Sequence, residues 1–437
     1  VMKYLNINKV RYTLIAVFFF FSFSVLDAQE ITLEECRAMA LANNKRIAIA
    51  KQDKERADLV AKATKTNFLP KVSAEGFAYY DNAKTDMKMN MGELGALNMK
   101  LKTSNSYLGQ ITVEQPIYTG GKISSASKMS KVGSEIAELS QQLTEDEVIL
   151  ETDKAYWLCI QALEMRKAAL SYQQTINEFL RIISNAADAG MKSKNDVMKV
   201  QVQKNQAELQ LSRAENDIRI SQMNLCDIIG LPLDSKISFP ESFTENNFIL
   251  NPNATVSSRP EYGILTKQIE LKKYEKQFVK SDFLPQIGFA GSYGYIHGPK
   301  LDNEPLFNTG NFSAIFSVKI PLFNWGEGSK KVKAVEREMA MAQLQRDDLS
   351  QKMNLELQQA INAYNESILE VNLTLQALKQ SEENMRMSRD QYDVGMETIS
   401  NYLESQTIWQ NAQAEHIVAK TKLEISKTQY LKASGNI

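Results

Sequence analysis

The sequence predicts a mainly helical protein with a smaller β component, its plan written twice along the chain. Three observations predict it. Matched residues recur at one fixed spacing, two stretches of more than sixty residues nearly lack helix breakers, and four runs alternate apolar with polar residues. Glycine (19) and proline (10) are scarce for 437 residues, which favours long helices. Hydrophobic residues at 43% and charged residues at 24% are ordinary for folded protein and exclude wholesale disorder.

Pro116 and Pro321 each close a strand-like run. Gly190-Met191 answers Gly395-Met396, Asp196 answers Asn401, Gln201 answers Gln406, and Gly230 answers Gly435. Every pair is 205 residues apart. Phe68-Leu69-Pro70 matches Phe283-Leu284-Pro285 at a spacing of 215, so the first copy carries a longer loop. Each copy reads helix, Phe-Leu-Pro, strand, loop, strand, proline, long helix, glycine turn, helix. The expected first repeat is 29–230, with strands at about 71–81 and 105–117 and helices at about 122–189 and 193–229. Residues 231–260 form a linker. The second repeat is 261–437, with strands at about 286–297 and 311–323 and helices at about 327–392 and 398–433.

The long helices have no core of their own. Residues 329–394 hold neither glycine nor proline, and 122–189 hold only Gly133 as a breaker. Such a helix is ~100 Å long at ~1.5 Å per residue, which requires a coiled coil, stalk or tube. Leu357, Ile361, Tyr364, Ile368, Val371, Leu375 and Leu378 alternate steps of four and three, a heptad seam. Val200, Ala207, Leu211, Ala214, Ile218, Leu225 and Ile228 keep the same seam. Seams diluted by small and polar residues suit helices with neighbours on both sides; an ordinary bundle fits nearly as well.

The four alternating runs are short. Phe312, Ala314, Phe316, Val318, Ile320 and Leu322 share one face, opposite Asn311, Ser313, Ser317 and Lys319. Ile287, Phe289, Gly291, Tyr293 and Tyr295 alternate with Gly288, Ala290, Ser292 and Gly294. Tyr107, Ile111, Val113 and Ile117 alternate with Gln110, Thr112 and Glu114, and Val72 to Tyr80 is the weakest run. These lengths fit membrane-crossing strands of ~9–11 residues with an apolar outer face. Four strands cannot close a barrel, and an open edge in lipid leaves unpaired backbone groups. Closure then needs other subunits: two give eight strands and three give twelve. The residues do not choose between them.

The N-terminus predicts a signal peptide over 1–28. Lys3, Lys9 and Arg11 precede an apolar stretch from Thr13 to Val25, and Ala28 offers a cleavage point. Thirteen residues are too few to span ~30 Å of hydrocarbon. Removing 1–28 takes the formal net charge from −1 to −3, which leaves no basic excess for nucleic acid. Cys36, Cys159 and Cys226 lack metal-ligand spacing and read as apolar packing residues. His297 and His416 belong to no catalytic or metal motif, and Trp325-Gly326-Glu327-Gly328-Ser329 lacks the lysine of a phosphate loop. No catalytic residue, metal site or cofactor is expected.

In this grammar the chain resembles the TolC family of outer-membrane efflux and secretion channels. The resemblance rests on the doubled Phe-Leu-Pro and on the strand exits Gln115-Pro116-Ile117-Tyr118-Thr119-Gly120-Gly121-Lys122 and Ile320-Pro321-Leu322-Phe323-Asn324-Trp325-Gly326. The turns Ala189-Gly190-Met191 and Tyr392-Asp393-Val394-Gly395-Met396, and the opening Leu33-Glu34-Glu35-Cys36-Arg37-Ala38-Met39-Ala40-Leu41-Ala42-Asn43-Asn44, add to it. It implies a homotrimer with a twelve-stranded barrel in outer-membrane lipid and a twelve-helix α-barrel reaching into the periplasm. It also implies an equatorial belt built from 231–260 and the C-terminal end. Partners implied are a periplasmic adaptor (membrane fusion) protein and an inner-membrane pump of RND, ABC or MFS type. Gly190, Met191, Gly395 and Met396 would be the periplasmic tips where the adaptor docks.

Entrance closure or ion selectivity falls by the same likeness to Asp196, Tyr392, Glu397, Asn401 and Glu404. Departures matter here. Asn44-Lys45 stands where many members have Asn-Pro, and Arg259-Pro260 stands at the matching place of the second copy. Some relatives carry a basic residue two after the second tip glycine and acids six and nine after it; here stand Glu397, Asn401 and Glu404. A Glu404 ring would favour cations, and a Tyr392 hydrogen bond to a neighbouring helix would hold the entrance closed. The expected function is a passive exit duct driven by an inner-membrane transporter. Type I protein secretion is the alternative within that class. A periplasmic coiled-coil adaptor, or a structural surface protein, is the alternative outside it.

Overall fold

The structure is a computed structural model that describes residues 30–102, 106–240, 243, 248–251, 255–302 and 304–437. The expected signal peptide lies outside the described residues, as do 241–242, 244–247 and 252–254 of the expected linker. In chain order the elements are α1 (Leu33–Asn43), α2 (Lys45–Lys65), β1 (Lys71–Tyr79), β2 (Lys84–Asn90), β3 (Ala96–Lys102) and β4 (Ser106–Tyr118). Then follow α3 (Lys122–Asp188), α4 (Lys194–Ile229), α5 (Pro260–Ser281), β5 (Gln286–His297), β6 (Lys300–Leu301) and β7 (Glu304–Pro305). The chain ends with β8 (Asn308–Lys319), α6 (Glu327–Asp393) and α7 (Ile399–Ala433). Helices α3 and α6 each run 67 residues without interruption. Among the described residues no helix is long and apolar enough to cross a membrane.

The described chain divides into two compact units. One takes its described residues from 30–48, 145–254 and 356–437, the other from 49–144 and 255–355. In the first, helix α1 starts at a capping box: the Thr32 hydroxyl accepts from Glu35 N–H and the Glu35 carboxylate accepts from Thr32 N–H. It stops at Asn44, whose backbone turns extended at ψ 128°. The Asn43-Asn44 pair explains the break. Asn44 Nδ2 donates to the Ile228 carbonyl at 2.9 Å and Asn43 Nδ2 to the Ile229 carbonyl at 3.4 Å, which satisfies the last turn of α4. Gly230 closes α4 at φ 76°, where a Cβ would sit 2.6 Å from Asn43 Cβ. Both the left-handed backbone and the close approach require glycine.

Two apolar clusters hold this unit. One gathers Ile31, Cys36, Ala40 and Ile47 against Val148, Tyr156, Trp157, Cys159, Leu225, Cys226, Ile229 and Phe239. All three cysteines meet here, buried and free. Burial pushes the Cys36 and Cys159 thiols up to about 12 and raises Cys226, so they are protonated packing groups. A buried polar cluster lies nearby. Asp153, with no exposed surface, accepts from Arg37 Nε at 2.8 Å, from a second Arg37 nitrogen at 2.5 Å and from the Thr428 hydroxyl at 2.6 Å. It ties α1, α3 and α7. The Tyr430 hydroxyl accepts from Asn251 N–H at 2.9 Å, pinning the linker segment onto α7.

The second unit contains two sheets. One has strand order β1-β4-β5-β8, with β1 and β8 as free edges; the other has order β2-β3-β6-β7. Every pairing is antiparallel. The expected strand at 311–323 is corrected: β8 begins at Asn308 and ends at Lys319, opposite Gln286 where β5 starts. Beyond Lys319 no partner remains, and Pro321 offers no N–H. Pro116 sits inside β4 because the register shifts between Pro116 and Tyr118. The extra length of the first copy's loop is the β2–β3 hairpin, whose turn uses Gly92 and Gly95 at φ 64° and 90°. Gly120 leads from β4 into α3 at φ 62°, and a Cβ there would meet the Ser281 carbonyl at 2.8 Å.

Candidate functional site

Two parts of the molecule carry the functional geometry: the helix reversals of the first unit and the larger sheet of the second.

Each reversal is a left-handed glycine turn. Gly190 (φ 77°) donates to the Ala187 carbonyl at 2.9 Å, and Met191 donates to the Ala186 carbonyl at 2.8 Å. Gly395 (φ 76°) donates to Tyr392 at 3.1 Å and Met396 to Gln391 at 2.8 Å. Both are Schellman ends, which satisfy the last carbonyls of α3 and α6 within four residues. Met191 and Met396 are left 72% and 83% exposed. A Cβ at either glycine would meet nothing within 4 Å, so only the backbone conformation demands glycine.

The returning helices begin with caps. Ser193 and Asp196 form a complete capping box: Ser193 Oγ donates to the Asp196 carboxylate at 2.8 Å and accepts from Asp196 N–H at 3.2 Å. Asp196 therefore starts a helix, whatever charge it lends the tip. Asn401 N–H donates to Thr398 Oγ1 at 3.3 Å, with no return bond from the amide. The motifs Ser-x-x-Asp and Thr-x-x-Asn were readable as caps.

Glu397, Asn401 and Glu404 come together. They line one groove of about 260 Å³ between the ends of α6 and α7, with Asn384, Ser388 and Gln391. Ser388 Oγ donates to Glu397 Oε2 at 2.5 Å, which holds that carboxylate across the hairpin. Glu404 and Asn401 are exposed. Tyr392 is not among them. It packs with Ile176, Phe179, Ile183, Val200, Ile399 and Tyr402. Its ring stacks on Tyr402 at 5.7 Å and meets Phe179 edge-on, with Lys192 Nζ 4.4 Å above it. Its hydroxyl is enclosed by its own chain and makes no hydrogen bond among the described residues. A hydrogen bond from it to a neighbouring helix would require the hydroxyl to leave this cluster.

Residues not anticipated from sequence join the two hairpins. Lys199 Nζ donates to Ser400 Oγ at 2.8 Å, Gln203 Nε2 to Thr407 Oγ1 at 3.2 Å, and Gln410 to Gln210. The steps from 199 to 203 to 210 put these side chains on one edge of α4, and that spacing was the available signal.

The larger sheet separates its chemistry by face, since opposed residues in a ladder point the same way. One face carries the rows Val72-Val113-Gly291-Ala314 and Ala74-Ile111-Tyr293-Phe312, then Phe289-Phe316 and Ile287-Val318. The other carries Ser73-Thr112-Ser292-Ser313 and Glu75-Gln110-Gly294-Asn311. Ser292 and Ser313 share a hydrogen bond of 2.7 Å, and Gln110 donates to Glu75 at 3.3 Å. The chain covers little of the aromatic face: Phe312 is 71% exposed and Tyr293 64%. An apolar face this bare marks contact with lipid or protein.

Comparisons with known proteins point one way. The model of the outer membrane efflux protein family matches residues 37–231 and 264–436. AprF of Pseudomonas aeruginosa, an alkaline protease secretion protein, is 22% identical over 275 residues, 60% of this chain and 55% of that relative. The match thus spans little more than half of the relative's length. The fold is similar to the CmeC outer membrane channel of Campylobacter jejuni, with a TM-score of 0.77 and 18% identity over 95% of this chain and 90% of that one. It is also similar to the open-state MtrE outer membrane channel of Neisseria gonorrhoeae, with a TM-score of 0.74 and 16% identity over 92% and 88%. With its two matched stretches covering most of its length, this chain belongs to the outer membrane efflux protein family.

Proposed function

We propose that this outer-membrane protein is a passive exit duct formed by three copies of the chain. The observation that carries the reading is the four-stranded sheet, apolar and aromatic on one face, polar on the other, and open at both edges. Successive antiparallel pairing makes β1 and β8 run in opposite directions. The β8 edge of one copy can therefore pair antiparallel with the β1 edge of the next, a head-to-tail contact that closes as a ring. Closure removes backbone edges that lipid does not tolerate. Three copies give twelve strands, wide enough for a water-filled lumen, whereas eight strands would be filled by their own side chains. The two written copies of the plan supply two strands each and alternate helix pairs around the wall.

On this reading the exposed turns at Gly190-Met191 and Gly395-Met396 face a periplasmic adaptor, and energy comes from an inner-membrane pump. Glu397, Asn401 and Glu404, gathered in one groove, line the entrance, where a three-fold Glu404 ring selects for cations. Asp196 contributes charge there besides capping its helix. The cargo class favoured is small molecules. Likeness to AprF, whose name records protease secretion, supports protein secretion as a second reading. Membrane fractionation followed by native mass measurement tests the proposal: an outer-membrane trimer is expected, and a soluble or inner-membrane species overturns it. Loss of drug export against loss of secreted protein in a deletion strain separates the two cargo classes.

A further inference from the structure

We propose that the end of the β unit remote from the helices carries a lysine collar on the lumen side, which makes the channel mouth attractive to multivalent anions. This rests on the reading of the larger sheet as part of a closed barrel with its polar face inward.

The β5–β8 ladder does not stop where those strands end. Gly298 N–H donates to the Phe307 carbonyl at 2.8 Å and Leu306 N–H to the Pro299 carbonyl at 2.8 Å. Lys300 then pairs with Pro305 and Leu301 with Glu304, in the register that pairs His297 with Asn308. Alternation therefore continues through the extension. Tyr293, Tyr295, His297 and Leu301 lie on the aromatic face; Ser292, Gly294 and Lys300 lie on the polar one.

The second sheet inherits this division. Lys300 is opposite Lys102 and Lys102 is opposite Lys84, a row of three lysines across three strands. Lys100 and Lys88 stand two and four residues along β3 and β2 from that row, so they share its face. Leu301, Leu101, Met99 and Met87 occupy the other side. The apolar side continues the outer face, and the five lysines continue the serine and threonine face.

Charge is not balanced there. None of the five makes an ion pair with a described residue. Asp86 is the one acid on that face of β2 and β3, and Asp302 uses its carboxylate on the Lys100 backbone N–H at 3.0 Å. Deeper on the polar face, Lys71 and Lys319 offset Glu75 and Glu114. Like charges directly opposite in a ladder destabilise it, so a row of three calls for counter-charge from outside the chain. On a polar wall, lysine rings attract anions and concentrate them.

The test uses the purified full-length oligomer in planar bilayers, with sodium tripolyphosphate added to each chamber in turn. Block from one side only is expected. The triple variant K84S/K102S/K300S should need roughly tenfold more tripolyphosphate, and the reversal potential in a KCl gradient should move toward cations. The corresponding triple arginine variant should keep the block, and rising ionic strength should weaken it. Equal block in wild type and serine variant, or block indifferent to salt, overturns the collar. If the triple variant fails to assemble, K84Q alone should shift the block roughly two- to threefold by removing one charge of the row; no shift overturns the proposal. A wild-type chain that stays monomeric in the outer-membrane fraction overturns the barrel reading instead.

Discussion

The Arg37–Asp153 pair offers a quantitative test of how the first unit is held. Asp153 has no exposed side-chain surface, while Arg37 is 30% exposed. Removing the guanidinium strands a buried carboxylate, which costs about 3–5 kcal/mol in comparable sites. The Thr428 hydroxyl stays at 2.6 Å and keeps one bond, so Arg37→Met should cost about 3 kcal/mol, the lower end of that range. Replacing both partners, as R37M/D153L, removes the stranded charge and leaves Thr428 without an acceptor, at a cost of about 1 kcal/mol. D153L alone leaves the same hydroxyl unpaired at about 1 kcal/mol, so the two substitutions should be coupled by about 3 kcal/mol, read as a double-mutant cycle in urea or thermal unfolding followed by helical circular dichroism in detergent. A coupling under about 0.5 kcal/mol would show that the pair does not hold α1 to α3 and α7.

Four further outcomes follow from the same geometry. Gly395→Leu meets no steric obstacle but forces a left-handed backbone on leucine, at about 1–2 kcal/mol; export should fail while oligomer yield stays normal, and normal export would refute docking at this turn. Tyr392→Phe removes a buried hydroxyl that has no partner among the described residues, so thermal stability should hold or rise and resting conductance should not change; increased leakage would mean the hydroxyl does bridge to another copy. Glu404→Ala should weaken cation selectivity and divalent block measured from the tip side, and an unchanged single-channel record sinks the ring. Burial lowers the pKa of His416, with Lys420 adding to it. The fold prefers the neutral ring, so its contribution is complete above the unfolded value of ~6.5 and declines as pH falls through the folded value. His416→Gln should flatten the stability profile between pH 7 and 5, and an unaltered slope would exclude the histidine as its source.

The long helices were legible because their signal is local and repeated. A heptad seam without proline specifies a helix wherever partners exist. Strands β4, β5 and β8 are marked by alternation, although Asn308 to Gly310 give no apolar cue and the apolar alternation runs past Lys319 through Ile320 and Leu322. The β2–β3 hairpin was missed because its period-two pattern is carried by lysines against methionines, which reads as a polar loop. The break at Asn44 depends on carbonyls 184 residues away in α4, and the Asp153 cluster on Arg37, 116 residues before it. No local pattern reports such contacts. At the tip, sequence named Glu397, Asn401 and Glu404 by likeness, and the fold gathers them in one groove. Tyr392 was named with them, and the fold seats its ring with Phe179 and Tyr402 outside that groove, a placement that no local pattern separates from an interface tyrosine.

Closure of the open sheet across copies is the central claim. Cysteines placed along the outer edge of β1, at positions 72 to 78, and along β8, at 310 to 318, would be oxidised with copper phenanthroline in outer-membrane fractions. Closure predicts cross-links between copies only when both edges carry a cysteine, in a ladder that ends at three chains. Cross-links within a single chain, or a ladder that ends at two or runs past three, would contradict it.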